Sequence, residues 1–217
     1  MLTLFKGLFA GASATGALAL FLLLAGPAAV AQNTAALGES NAALGENNGE
    51  FVMGAADAPV TVIEYFSLTC PHCADFHRDT LPKVIAEYID TGKVRMVFRD
   101  FPLDNLALVA AAIARCMGDE RFLGFVNLLY EQQDTWRGSN DPLGALSLLA
   151  RLAGMNQTRF DACLNDEQVT GLILLSTQTA RSQFGVQSTP TFIFNDRPVE
   201  GAITFEEWQA TVDPLLN

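Results

Sequence analysis

The run Val60-Thr61-Val62-Ile63-Glu64-Tyr65-Phe66-Ser67 leads, through Leu68 and Thr69, straight into Cys70-Pro71-His72-Cys73. It is dominated by β-branched and aromatic residues and holds a single charge, the composition of a strand buried on both faces. From Cys70 to about Asp90, apolar Phe76, Leu81, Val84 and Ile85 recur at helical spacing, with Pro82 expected to kink the helix. Thr91-Gly92 ends that pattern, and Val94 to Phe98 reads as a second strand. Strand, helix and strand in this order form a βαβ unit, so the two strands should run parallel.

Beyond it, from about Asp104 to Phe184, the pattern is helical throughout. Leu106, Val109, Ile113 and Cys116 mark one helix, and Phe122, Phe125, Val126 and Leu129 the next. Further helices are predicted over 142–152, 157–164 and 167–184, the last closed by Gly185. Thr191 to Phe194 and a short partner around Pro198–Glu200 then read as a hairpin across Asn195-Asp196, followed by a helix from Thr204 to about Leu215. The predicted architecture is an α/β sheet, residues 51–103 and 185–217, with an α-helical domain, 104–184, inserted in it.

Toward the amino end, Lys6, the apolar run Leu18 to Leu24, the Gly26-Pro27 break and Ala29-Val30-Ala31 compose a cleavable signal peptide over 1–31. An uncleaved membrane anchor is the competing reading, since no charge occurs from Leu8 to Ala31. Either places the domain outside the cytoplasm. Residues 32–50 are small and polar and read as a flexible leader. The net charge of −11, with no basic run, excludes nucleic acid as a partner, because phosphate binding needs clustered positive charge. Four Cys in an exported chain fit an oxidising compartment; two lie in the Cys-x-x-C, leaving Cys116 and Cys163 as a second pair.

A Cys at the start of a helix meets unpaired N–H groups and the positive end of the helix dipole, both of which favour its thiolate. The thiolate attacks and leaves in disulfide exchange, so Cys70 is the candidate nucleophile and Cys73, one turn on, the resolving thiol. His72, when protonated, adds a nearby cation. No cofactor is implied. A zinc site of Cys70, Cys73 and His77 and a purely structural disulfide are the alternatives, whereas covalent haem is excluded by Ala74.

Taken together, Met53 to Tyr65, Cys-Pro-His-Cys, and Gly185-Val186-Gln187-Ser188-Thr189-Pro190-Thr191-Phe192 resemble the DsbA-like thiol–disulfide oxidoreductases of the bacterial periplasm. The resemblance covers nearly everything after residue 50. It implies a thioredoxin-like fold and a cis Pro190 facing the Cys pair, with Thr189 and Pro190 pairing a substrate segment as an added strand. It also implies that Glu64 is a buried acid relaying the proton of Cys73. His77 matches a position often acidic in that family; it is expected to be partly exposed and without a catalytic role.

The activity so implied is oxidation of dithiols in exported proteins by a periplasmic monomer, recharged by a DsbB-like membrane oxidase. Thr189 departs from the Val of the best-known oxidases and keeps isomerase or reductase activity open, and a substrate-binding or chaperone module with an incidental Cys pair is the rival of another class. Cys116 and Cys163, at the ends of apolar helical stripes in an exported chain, are expected to form a structural disulfide.

Overall fold

The computed structural model describes residues 50–216; the predicted signal peptide, and all of the predicted leader but Glu50, lie outside them. Five strands, β1 (Phe51–Met53), β2 (Val60–Phe66), β3 (Val94–Asp100), β4 (Thr191–Phe194) and β5 (Arg197–Glu200), form one sheet in the order β1-β3-β2-β4-β5. The β-branched run is the central strand: β2 pairs parallel with β3 and antiparallel with β4. β1 and β5 flank them as antiparallel edges.

The crossover from β2 to β3 is broken into α1 (Pro71–Asp79), α2 (Leu81–Val84) and a π-helical turn, Ile85–Ile89. Pro82 does not kink a continuous helix. It lies in the first turn of α2, where its missing N–H is no loss, and the chain breaks two residues earlier, at Thr80. The Thr80 hydroxyl donates to the Ile203 carbonyl at 3.0 Å, tying that break to the segment before the last helix, α9 (Phe205–Val212).

Between β3 and β4 run α3 (Asn105–Arg115), α4 (Asp119–Glu131), α5 (Gln133–Arg137), α6 (Pro142–Leu152), α7 (Gln157–Leu164) and α8 (Glu167–Phe184). Arg115, at the end of α3, donates through Nε to Asp100 Oδ2 at 2.6 Å and through a terminal nitrogen to the Phe98 carbonyl at 2.9 Å. That buried pair fastens the helices to the end of β3. Cys116 and Cys163 are joined as a disulfide, which ties the end of α3 to α7.

One face of the sheet carries α1 and α9, whose Phe76 and Trp208 pack on Phe192 and Phe194 with ring centroids 4.5–6.2 Å apart. On the other face Tyr65 and Ile193 form a smaller cluster with Phe101, Ala180 and Val186. Burial of β2 from both sides explains why its sequence is a continuous apolar run rather than an alternation.

Candidate active site

β2 ends at Phe66 and hands over, through Ser67-Leu68-Thr69, to Cys70, which is the N-cap of α1 with extended backbone (φ −83°, ψ 119°). Pro71 follows at the first helical position, where it costs no hydrogen bond. The Cys70 side chain therefore sits over the unpaired N–H groups that open the helix.

Four consecutive carbonyls of this approach are held by the helical block. Tyr130 Oη donates to the Ser67 carbonyl (3.2 Å), Gln133 Nε2 to those of Leu68 (2.8 Å) and Cys70 (3.1 Å), and an Arg137 terminal nitrogen to that of Thr69 (2.6 Å). The Thr69 hydroxyl donates to Asp104 Oδ2 at 2.8 Å while Asp104 Oδ1 caps α3 by accepting from the Ala107 N–H. Sequence reasoning missed Tyr130, Gln133 and Arg137. Tyr130 lies near the end of α4 and Gln133 and Arg137 on α5, across a break at Gln132, and such polar groups are singled out only when their partners are known.

The two sulfurs are set apart electrostatically. Cys70 is lowered from 9.0 to about 5: the Cys73 thiol donates to it, burial works against the anion, and the Thr189 side chain and the Cys73 and His72 backbone N–H groups favour it. Cys73, fully buried, is pushed well above 9.0 by desolvation first, then by Cys70 and the Glu64 carboxylate. Near neutral pH the pair is one thiolate and one thiol.

Cys70 in its thiol form donates to the Thr189 carbonyl at 3.2 Å, so the Thr189-Pro190 turn lies directly against its sulfur; that peptide bond is cis. With Cys70 as the thiol, the Thr189 hydroxyl has no partner that meets hydrogen-bond geometry. The His72 imidazole is exposed and lies 3.8 Å from Asp75 Oδ2, so His72 reaches Cys70 through its backbone N–H.

Glu64 sits under the site on β2, in register with Phe98 and Phe192, and is completely buried. Its Oε1 lies 3.2 Å from Nε2 of His77. His77 is 4% exposed, not partly exposed as its sequence position suggested. It shares a face of α1 with Cys73 and Ala74, and that face is covered by α4, with the Tyr130 ring 4.7 Å from the imidazole. The two ring nitrogens of His77 meet Glu64 and Asn127. Among the described residues no group of three or more His, Cys, Asp or Glu is placed to hold a metal ion.

Residues 46–214 match the thioredoxin family. A Rickettsia prowazekii protein bearing the name protein-disulfide oxidoreductase is 35% identical over 169 residues, 77% of this chain and 62% of its own length. The chain thus spans less than two thirds of that relative. Disulfide bond formation protein D of Bacillus subtilis is 27% identical over 174 residues, 78% of each chain. Among solved structures, alpha-DsbA1 of Wolbachia pipientis superposes with a TM-score of 0.71 at 32% identity, covering 77% of this chain and 90% of that one. With a strand-to-helix Cys pair, a lowered first sulfur and a facing Thr-Pro turn, these likenesses agree on one assignment: the chain belongs to the DsbA-like thiol–disulfide oxidoreductases of the thioredoxin fold.

Proposed function

We propose that the protein is a dithiol oxidase that donates its Cys70–Cys73 disulfide to cysteine pairs of exported proteins. The observation that carries this reading is the contrast between the two sulfurs. A Cys70 anion stabilised to a pKa of about 5 stabilises the reduced enzyme, and a stable reduced form makes the disulfide an oxidant.

A substrate thiolate attacks Cys70 of the disulfide, forming a mixed disulfide and expelling Cys73 as a thiolate. Cys73, strongly disfavoured as an anion, takes a proton by way of Glu64. The second substrate thiol, as thiolate, then attacks the substrate sulfur of the mixed disulfide, and Cys70 leaves as the stabilised anion. The substrate loses two electrons and the enzyme disulfide gains them. Its two thiol protons are accounted for by one on Cys73 and one released. In the return half, Cys70 attacks the disulfide of an oxidant and Cys73 resolves that adduct. By family resemblance the oxidant is a DsbB-like membrane protein, the enzyme acts as a monomer, and its site of action is the periplasm, reached by removal of residues 1–31.

In this reading the Thr189 backbone, 3.2 Å from Cys70 Sγ, pairs with an extended substrate segment, with Pro190 shaping the turn, and His72 contributes a backbone N–H to the thiolate. Two measurements test direction: equilibration of the purified protein with glutathione buffers, and urea unfolding of both redox forms. An oxidase opens its disulfide in mildly reducing buffer and is more stable reduced. A disulfide that persists in strongly reducing buffer, with the oxidised form the more stable, assigns reductase activity instead.

A further inference from the structure

His77 has no part in the exchange as derived, yet it is sealed beneath the Cys pair. It lies four residues after Cys73, one turn along the same face of α1. Its Nδ1 is 3.2 Å from Asn127 Oδ1. An amide oxygen only accepts, so Nδ1 carries the hydrogen and Nε2, 3.2 Å from Glu64 Oε1, is the nitrogen free to exchange a proton. Neither Glu64 oxygen nor His77 Nε2 has a partner that meets hydrogen-bond geometry. Buried polar atoms left in this condition are rare and call for an explanation. Oε1 and Nε2 are within 3.2 Å, so once the two side chains align a proton shared between them satisfies two of the three at once.

The surroundings leave one way out. β2 contributes Glu64 and Phe66, β3 Phe98, α1 Cys73 and Phe76, and α4 Asn127 and Tyr130. Of these, Glu64, Cys73 and Tyr130 are titratable groups, and burial holds the Tyr130 phenol neutral by pushing it well above 10.0. The His77 ring also lines a cavity of about 230 Å³ with Arg78, Asn127 and Glu131, large enough for water. Arg78 is engaged by Asp75 and Asp79, so Glu131 is the remaining charged group along it.

We infer that His77 links the buried Glu64 carboxylate to solvent, storing and returning the proton that Cys73 gives up and regains. The inference rests on Glu64 as the relay. During reoxidation the Cys73 S–H bond breaks, and its proton passes to Glu64 and comes to rest between Oε1 and Nε2. The Cys73 sulfur attacks Cys70, closing the disulfide and releasing the oxidant's thiolate. Opening the disulfide reverses the path, and the cavity exchanges the stored proton with bulk water. His77 is a positioning residue here; it touches no reacting sulfur.

The test is single-turnover resolution of a preformed mixed disulfide at Cys70, followed from acid to mildly alkaline pH in wild type, His77→Gln, Asn127→Ala and Glu64→Gln. His77→Gln should slow resolution by about tenfold or more and flatten its pH profile, with the Cys70 thiolate titration unmoved. Asn127→Ala should shift the profile by releasing the tautomer. A folded His77→Gln protein with wild-type rate and profile overturns the inference; if Glu64→Gln is slow in the same assay, the relay stands without His77. If Glu64→Gln is also at wild-type rate, the relay itself is wrong. Should His77→Gln fail to fold, Asn127→Ala decides, an unchanged rate and profile overturning the inference.

Discussion

Reduced protein should gain about 2 kcal/mol of stability from one atom, the Cys70 sulfur, as pH rises from about 4 to 7. The folded thiol titrates at about 5, against 9.0 for an unperturbed one. A depressed pKa contributes stability that is complete above the unfolded value and lost as pH falls through the folded one. At pH 7 the folded group is two pH units above its pKa, worth about 2.7 kcal/mol at 1.36 per unit. Cys70 is itself buried but its neighbours Pro71 and His72 are exposed, and allowing for solvent screening from that side trims this to about 2 kcal/mol. Cys73, raised above 9.0, is a thiol in both states over this range and contributes nothing to the slope. The assay is urea unfolding under reductant at several pH values, for wild type and Cys70→Ser; subtracting one from the other removes every other titrating group. A difference that does not change with pH refutes the reasoning, because a free-thiol Cys70 has no linkage below pH 8. The same stabilisation makes the disulfide about 40 mV more oxidising.

Other changes follow from the same contacts. Glu64→Gln should leave attack at Cys70 intact and slow the Cys73 step by about tenfold or more, read by quenched-flow trapping of the mixed disulfide. Gln133→Ala strips the Leu68 and Cys70 carbonyls of a buried donor and should cost about 1–3 kcal/mol in urea unfolding, with a higher Cys70 pKa as the loop loosens. Replacing Cys116 and Cys163 by Ala frees a loop of 47 residues, for which chain entropy gives about 4 kcal/mol; thermal unfolding should register it while the Cys70 titration is unchanged.

The strand-to-helix Cys pair was legible because its signals are local: a β-branched run, then Cys-x-x-C, then helical spacing. The final hairpin was legible too, since Asn195 and Asp196 tolerate the positive φ (44° and 69°) that its two-residue turn requires. β1 was not, because three residues hold less than two periods of alternation. Nor was α5, whose five residues include Gln133 and Arg137 pointed at a loop more than sixty residues earlier. The burial of His77 was missed for a related reason. A helix is polar or apolar by face, and which face α4 covers is a tertiary fact. The contact that makes His77 interesting, Glu64 at 3.2 Å, joins a strand to a helix and has no sequence signature.

Ultraviolet titration of the thiolate in the native reduced protein addresses the central claim most directly. One sulfur should ionise with a midpoint of about 5 and the other should stay protonated past 9.0. Cys73→Ala should raise the Cys70 midpoint, because the Cys73 thiol is the largest single contributor to its depression. Two thiols ionising together near 9.0 would contradict the account.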